Sequence, residues 1–289
     1  MSVAGASVRR MRFGVVIPFG DAADIARHAA LAERAGWDAI FLSEPVWGVD
    51  AWVSLAAAAT ATERLRLGTL LTPVPRIKPW DLATRVATVD RLSGGRVILG
   101  AGLGALHDGW LAFERDEGRR TRVERLEEGL AVYDGLMRGQ PFGFAGKHYE
   151  VDPTTFFPPD PPVQRPRPPI WVVGAWVLGR DEQPSLARAA RWDGLLPNVI
   201  GEATDTPDEL AAIVSLVHEH RTAAGLPIEG YDVVVEADSY GGFRTMTTTD
   251  PRSWADAGAS WWVESWWDLP RDEGGERSLR DRIAAGPRR

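Results

Sequence analysis

The sequence predicts an α/β protein built as one (β/α)₈ barrel, with a proline-rich insertion between the fourth helix and the fifth strand. Short apolar runs rich in β-branched residues alternate with helical patterns from residue 12 to the end. Eight such pairs can be counted, so the 289 residues give roughly 36 per unit, close to one strand–helix repeat of such a barrel. Runs such as VVVEA and VILGAG are apolar throughout instead of alternating, as parallel strands covered by helices are. A doubly wound open sheet is the competing arrangement. Eight consecutive units, with no weak edge strand and no second domain, favour closure.

The first run is RFGVVIPF (Arg12 to Phe19), and residues 1–11 before it are expected to be flexible. A helical pattern follows from Asp21 to Ala35, with Asp21 as N-cap and Gly36 as the left-handed residue after the end. DAIFLSE (Asp38 to Glu44) is the second run, followed by an alanine-rich helix from Ala51 to Thr62. RLGTLLTP (Arg66 to Pro73) leads to a helix opening at Pro79, where a missing N–H does no harm, and stopping at Ser93-Gly94-Gly95. RVILGAGLG (Arg96 to Gly104) precedes a long helix from about Arg119 to Arg138, in which Val123, Leu126, Leu130, Tyr133 and Met137 share a face. PIWVVGA (Pro169 to Ala175) precedes a helix near Gln183 to Arg191. GLLPNVI (Gly194 to Ile200) leads to TPDE, a capping box of Thr206 and Glu209 with Pro207 at the first helical position. YDVVVEADS (Tyr231 to Ser239) is followed by a short helix near Pro251 to Asp256, and SWWVESW (Ser260 to Trp266) by a final helix near Glu276 to Ala285.

One stretch breaks the rhythm. Residues 153 to 169 hold eight prolines in seventeen residues, a composition that makes stiff spacers. Four units precede it and four follow, so it reads as an ordered insertion over residues 139–168, placed to lie over the barrel mouth, rather than as an interdomain linker.

Composition narrows the function. At 44% hydrophobic and 25% charged, the chain has the balance of a soluble globular protein with a large core. The absence of cysteine excludes disulfides, thiolate nucleophiles, cysteine-ligated zinc and iron–sulfur clusters. A net charge of −7 argues against a nucleic-acid partner. The most apolar stretch, Ala51 to Ala61, is about half of the ~20 residues a membrane span requires. The arginines near the start precede an apolar run that Pro18 and Asp21 interrupt, unlike an export signal. A cytoplasmic location and no membrane partner are therefore expected.

In such barrels chemistry sits at the C-terminal ends of the strands. That places Phe19 and Gly20, Ser43 to Trp47, Leu70 to Arg76, Gly100 to Asp108, Gly174 to Arg180, Asn198, Glu236 to Tyr240 and Glu264 to Trp267 around one mouth. GAGLGA (Gly100 to Ala105) can be laid on the dinucleotide pattern G-x-G-x-x-A, but it follows the fourth strand, and no acidic residue closes the next one. It reads equally as close packing at a strand end or as small residues that let the backbone approach a flat ligand. Gly174, Ala175 and Gly179 form a strand-to-helix loop whose N–H groups can bind phosphate, with Arg180 nearby; an ordinary connecting loop is the alternative.

Tryptophan is over-represented, at 13 residues. Trp47, Trp110, Trp176, Trp266 and Trp267 map near strand ends and suit a planar apolar ligand, whereas Trp37, Trp192, Trp254 and Trp261 read as core packing. Metal and hydrolytic chemistry have little support. His218 and His220 point to different faces of one helix, and no G-x-S-x-G elbow is present. His107 beside Asp108 is the one histidine near a strand end, and a surface loop explains it as well.

Together the strings AERAGWDAIFLSE, LAAAATATERLRLGTLLTP, ATRVATVDRLSGGRVILGAGLG, RPPIWVVGAWVLGR and ARAARWDG resemble the luciferase-like flavin-dependent oxidoreductases. That family of (β/α)₈ barrels includes bacterial luciferase, alkanesulfonate monooxygenases and deazaflavin-dependent reductases. The likeness covers about residues 12 to 200, and TERLRLGT with DRLSGGRVILGAG is its most specific part. It implies a flavin lying across the mouth and a cis peptide at Leu70-Leu71, followed by Thr72. Gly100, Gly102 and Leu103 match the family's cofactor-lining strand, and Gly174, Ala175, Trp176 and Val177 its phosphate-binding loop; Trp47 is expected on the cofactor side. It also implies a homodimer.

There are departures. The acidic residue and histidine found at the second strand end in many deazaflavin members read here Glu44 then Pro45, and the glutamate acid of one branch matches Leu103. Glu44, His107 and Asp108 are therefore catalytic candidates by position only. FMN, which would allow oxygen activation, and coenzyme F420, restricted to hydride transfer, both remain open as cofactors, with a small apolar organic substrate. Two other readings stay open: a silent barrel that binds a flavin or small ligand without turnover, and an NAD enzyme using GAGLGA. A Gly174→Trp change is expected to block the cofactor while sparing the fold.

Overall fold

Eight parallel strands close on themselves. The computed structural model describes residues 10–106, 109–153, 160–200, 206–240 and 250–288. The strands are β1 (Arg12–Val16), β2 (Ala39–Leu42), β3 (Arg66–Thr69), β4 (Val97–Gly102), β5 (Ile170–Val177), β6 (Gly194–Ile200), β7 (Asp232–Ala237) and β8 (Trp261–Ser265). Each pairs with the next, and β8 returns to β1 with Gly14 opposite Val263, so no edge remains. The helices are α1 (Ala22–Ala35), α2 (Ala51–Thr60), α3 (Pro79–Ser93), α4 (Arg119–Arg138), α5 (Pro184–Ala189), α6 (Pro207–Ala223), α7 (Pro251–Asp256) and α8 (Glu273–Ala285).

Local signals account for most boundaries. Asp21 and Asp24 form a reciprocal capping box at the start of α1, and Gly36 ends it at φ 86°. Thr206 and Glu209 do the same for α6. The last helix starts at Glu273, three residues before the expected Glu276, because the Asp272 carboxylate accepts the N–H groups of Gly274 and Gly275. Strand β5 runs two residues past the expected Ala175, because its ladder with β6 continues to Val177 opposite Ile200.

The barrel interior is plugged by Phe41, Trp171 and Trp261, all fully buried. Ring centroids lie 5.4 Å apart for Phe41–Trp171 and 5.1 Å for Trp171–Trp261. Glycines on the neighbouring strands make room for them. A Cβ on Gly14 or Gly68 would stand 2.7 Å from Phe41, and one on Gly194 would stand 2.4 Å from Trp171. Below the plug, the Arg12 guanidinium stacks 4.3 Å from the Trp261 centroid and pairs with Asp232 at 2.5 Å. A second apolar layer, including Leu55, Leu82, Leu130, Ile213 and Leu279, joins the strands to the helices.

The family-specific strings work at the N-terminal end of the barrel. Glu33 accepts the backbone N–H groups of Arg64 and Leu65 at 2.6 and 2.8 Å. The Arg96 guanidinium donates to the carbonyls of Ala59, Thr62, Leu65 and Ser93, and so closes the end of α2.

The described part of the insertion packs against α3 and α4. Its hairpin, Phe144–Ala145 with Glu150–Val151, is tied to α4 by Glu128, which accepts N–H groups from Lys147, His148 and Tyr149. Farther on, Gln164 donates to Asp90 and to the Val97 carbonyl, at the start of β4. Carboxylates on α3 and α4 thus hold the described part of the insertion along the barrel's flank, and none of residues 139–153 or 160–168 lines the mouth cavity. Residues 154–159 lie outside the described residues.

Candidate active site at the barrel mouth

A cavity of about 890 Å³ opens at the C-terminal ends of the strands. Its floor is apolar, made by Leu70, Val173, Leu196 and Val234 directly above the aromatic plug. Volume and lining match the range for a drug-sized or cofactor-sized ligand.

Strand β3 ends in a cis peptide between Leu70 and Leu71, the position the resemblance implied. The Leu71 carbonyl accepts the Glu44 N–H at 3.3 Å, and the Leu70 N–H reaches the Leu42 carbonyl at 2.8 Å. Gly102 faces this bend, where a Cβ would come 2.9 Å from the Leu71 side chain. Glu44 stands beside it on the cavity wall. Burial raises its carboxyl above the ordinary glutamate range, against opposing pulls from the Thr72 hydroxyl, Arg85 and Trp52. Arg85 lies 3.6 Å away, and the Trp52 indole N–H donates at 3.3 Å. Such a carboxyl can hold a proton beside a bound ligand.

Basic residues stand around the mouth. Arg76, Arg119, Arg188 and Arg271 line the cavity. Arg188 is buried, with Nε donating to Glu127 at 2.9 Å and Nη1 to the Ser185 hydroxyl at 3.4 Å. Trp110 packs between Arg76 and Arg122, whose guanidinium carbons lie 5.2 and 5.9 Å from its ring centroid. Its indole N–H donates to Glu114 at 2.9 Å, and Arg76 pairs with the same carboxylate at 3.2 Å.

Of the residues singled out from sequence, Glu44, Leu70, Leu71, Gly102, Leu103 and Ala175 line the cavity. Trp47 does not; it is 84% exposed. Thr72 is buried and donates to the Thr69 hydroxyl, although it also reaches Glu44. Gly100 packs on β3, where a Cβ would lie 2.1 Å from the Thr69 carbonyl oxygen. Gly174 faces the helix layer, with a Cβ 2.4 Å from Leu195 and 2.7 Å from Leu186, so Gly174→Trp would break core packing rather than fill the mouth. Trp176 packs on the outer core. The Val177 N–H is taken by Gln183 and that of Ala175 by Ser185, so two donors of the expected phosphate loop are already occupied. His107 and Asp108 lie outside the described residues.

Of the five tryptophans expected at the mouth, Trp110 and Trp267 line it, whereas Trp266 is buried edge-on to Trp37. GAGLGA does not form a strand-to-helix turn, because β4 extends through Gly102 and α4 starts only at Arg119. Ser185 and Arg188 carried a faint sequence signal: three apart on one helix, they share a face.

The family model for luciferase-like monooxygenases matches residues 11–279. The chain belongs to this family. Among curated proteins, it is 35% identical to an F420-dependent glucose-6-phosphate dehydrogenase of Beutenbergia cavernae over 151 residues, 48% of this chain and 45% of that one. A putative coenzyme F420-dependent oxidoreductase of Mycobacterium tuberculosis is 33% identical over 146 residues, 49% of this chain and 41% of that one. The matches span less than half the length of these relatives. Solved structures share the fold. The F420-dependent tetrahydromethanopterin reductase of Methanopyrus kandleri superposes with a TM-score of 0.73 at 15% identity, covering 96% of this chain and 98% of that one. An FMN-bound Baeyer–Villiger monooxygenase component of Pseudomonas putida gives 0.63 at 20%, covering 79% and 67%.

Proposed function

We propose that this luciferase-like protein is an oxidoreductase that holds coenzyme F420 or FMN across the barrel mouth and acts on an organic substrate above the cofactor ring. The observation that carries this reading is the cavity, whose apolar floor of Leu70, Val173 and Leu196 is ringed by four arginines and a buried carboxyl, Glu44. Those residues fit the group. Gly102, with no side chain, and the small Ala175 leave space for a tricyclic ring, and Arg188, Ser185 and Arg119 line the same cavity, where they can hold a phosphate. When bound, F420 supplies a carbon that gives or takes a hydride, and FMN supplies that capacity together with oxygen activation.

The chain's own residues provide the remainder. The floor orients a planar ring and keeps water from its lower face. Glu44 holds or accepts a proton at its carboxyl oxygen, so that hydride movement to or from a substrate carbon is matched by proton movement at the neighbouring oxygen. The F420-dependent sequence relatives and the four arginines favour the deazaflavin, whose tail carries phosphate and carboxylates. A homodimer and a cytoplasmic setting belong to the same proposal; among the described residues no helix is long and apolar enough to cross a membrane.

Separate fluorescence titrations of the purified protein with F420 and FMN test this. Saturable binding of one of them, at micromolar affinity or better, is expected. Failure of both to bind, oxidised and reduced, would overturn the reading.

A further inference from the structure

Two threonines close to Glu44 take no part in the cofactor reading. Thr69 ends β3 and pairs with Leu42 of β2, while Thr72, three residues on, pairs with Ala101 of β4, so both backbones are fixed. Both side chains are fully buried and neither lines the cavity. The Thr72 hydroxyl donates to the Thr69 hydroxyl at 3.0 Å, and Thr69 donates in turn to the Gly100 carbonyl at 3.1 Å. A carbonyl oxygen only accepts, so the Thr69 proton is committed to Gly100, and its oxygen receives from Thr72 without giving. The Glu44 carboxyl is also within hydrogen-bonding reach of Thr72. One hydroxyl proton therefore has two claimants.

A Thr72 that donates to Glu44 favours the ionised carboxylate. A Thr72 that donates to Thr69 instead offers Glu44 its lone pairs, which only a protonated carboxyl can use. We propose that Thr69 is a positioning residue for the reaction: by accepting the Thr72 proton it keeps Glu44 in its acid form, ready to give a proton to the substrate. The catalytic meaning of this arrangement rests on the reading of Glu44 as the proton-holding group of a redox site. Other elements bring further groups to Glu44. Arg85 of α3 at 3.6 Å and the Trp52 indole of α2 at 3.3 Å favour ionisation, and Asp50 at the start of α2 opposes it. All three are kept when Thr69 alone is changed.

The test is the titration of Glu44 itself, followed in the cofactor-free protein by the infrared carboxyl stretch, with each protein's Glu44→Gln counterpart subtracted. Thr69→Val keeps the shape and loses the acceptor, so Thr72 turns to Glu44 and the midpoint should drop by about one pH unit, a tenfold loss of proton affinity. Thr69→Ser keeps the hydroxyl and should titrate as the wild type does. In a Thr72→Val background, Thr69→Val should shift nothing, because its effect passes through Thr72. An unchanged or raised midpoint in Thr69→Val would overturn the proposal, as would a serine variant that shifts like the valine one, or a shift that persists without Thr72. Thr69→Ala lacks the same acceptor and carries the same expectation if valine disturbs the circular dichroism spectrum. A protein that binds neither F420 nor FMN and still shows the Thr72-dependent shift would remove the redox reading and leave the effect of Thr69 on Glu44 standing.

Discussion

At Glu44 burial of a carboxyl couples stability to pH. Its proton is held more tightly in the folded protein than in the unfolded chain, whose ordinary value is 4.5. The folded state therefore binds more protons, and stability falls as pH rises from about 4.5 through the raised folded value. Glu44→Gln removes that penalty. The variant is expected to melt above the wild type at neutral pH, with the gap closing toward pH 4 in a series of thermal melts. Its turnover should fall by about 10²-fold or more, as loss of a general acid does, with cofactor affinity kept. Normal turnover in the folded variant would place the proton elsewhere. Glu44 could be found in the sequence by position at a strand end. Gly174 could not be interpreted that way, because a glycine next to a motif looks the same whether its missing side chain faces a ligand or, as here, Leu186 and Leu195.

Among the elements, the most family-specific strings mark joints rather than the site. The Arg96 guanidinium makes five hydrogen bonds, to Ser93, Ala59, Leu65 and twice to Thr62, and links α2, α3 and β4. Arg96→Leu leaves those acceptors without their donor and is expected to cost about 3 kcal/mol or more, seen as a lower chemical-denaturation midpoint. Arg96→Lys should recover only part, because one ammonium cannot span the fork's acceptors. Full recovery by lysine would show that charge alone matters there. Helix limits were legible because caps and prolines act within a turn. The course of the insertion was not, since Glu128 on α4 and Asp90 on α3 decide it from far along the chain.

Over the whole molecule, net charge and the side chains gathered at the mouth differ in balance. The chain carries −7, yet four arginines surround the cavity. An anionic cofactor should therefore bind several-fold more weakly at 500 mM than at 50 mM salt, because Arg119 and Arg271 are exposed and screened. Isothermal titration at the two salt concentrations checks this, and a salt-independent affinity would mean that the arginines do not face the cofactor's charged tail.

The linear order of residues sufficed for the eight repeats, their caps, the closed parallel barrel and the end of it where ligands gather, because those depend on periodicities and contacts within a few positions. Register and three-dimensional closure decided the rest. They put Arg188, Ser185, Asn198 and Glu236 on the cavity wall, turned Gly174 toward the helices, and buried Trp266 while Trp267 remained at the mouth. Which way a side chain points in a barrel depends on how far each strand is shifted against its neighbours, and that shift is set by packing across the whole ring.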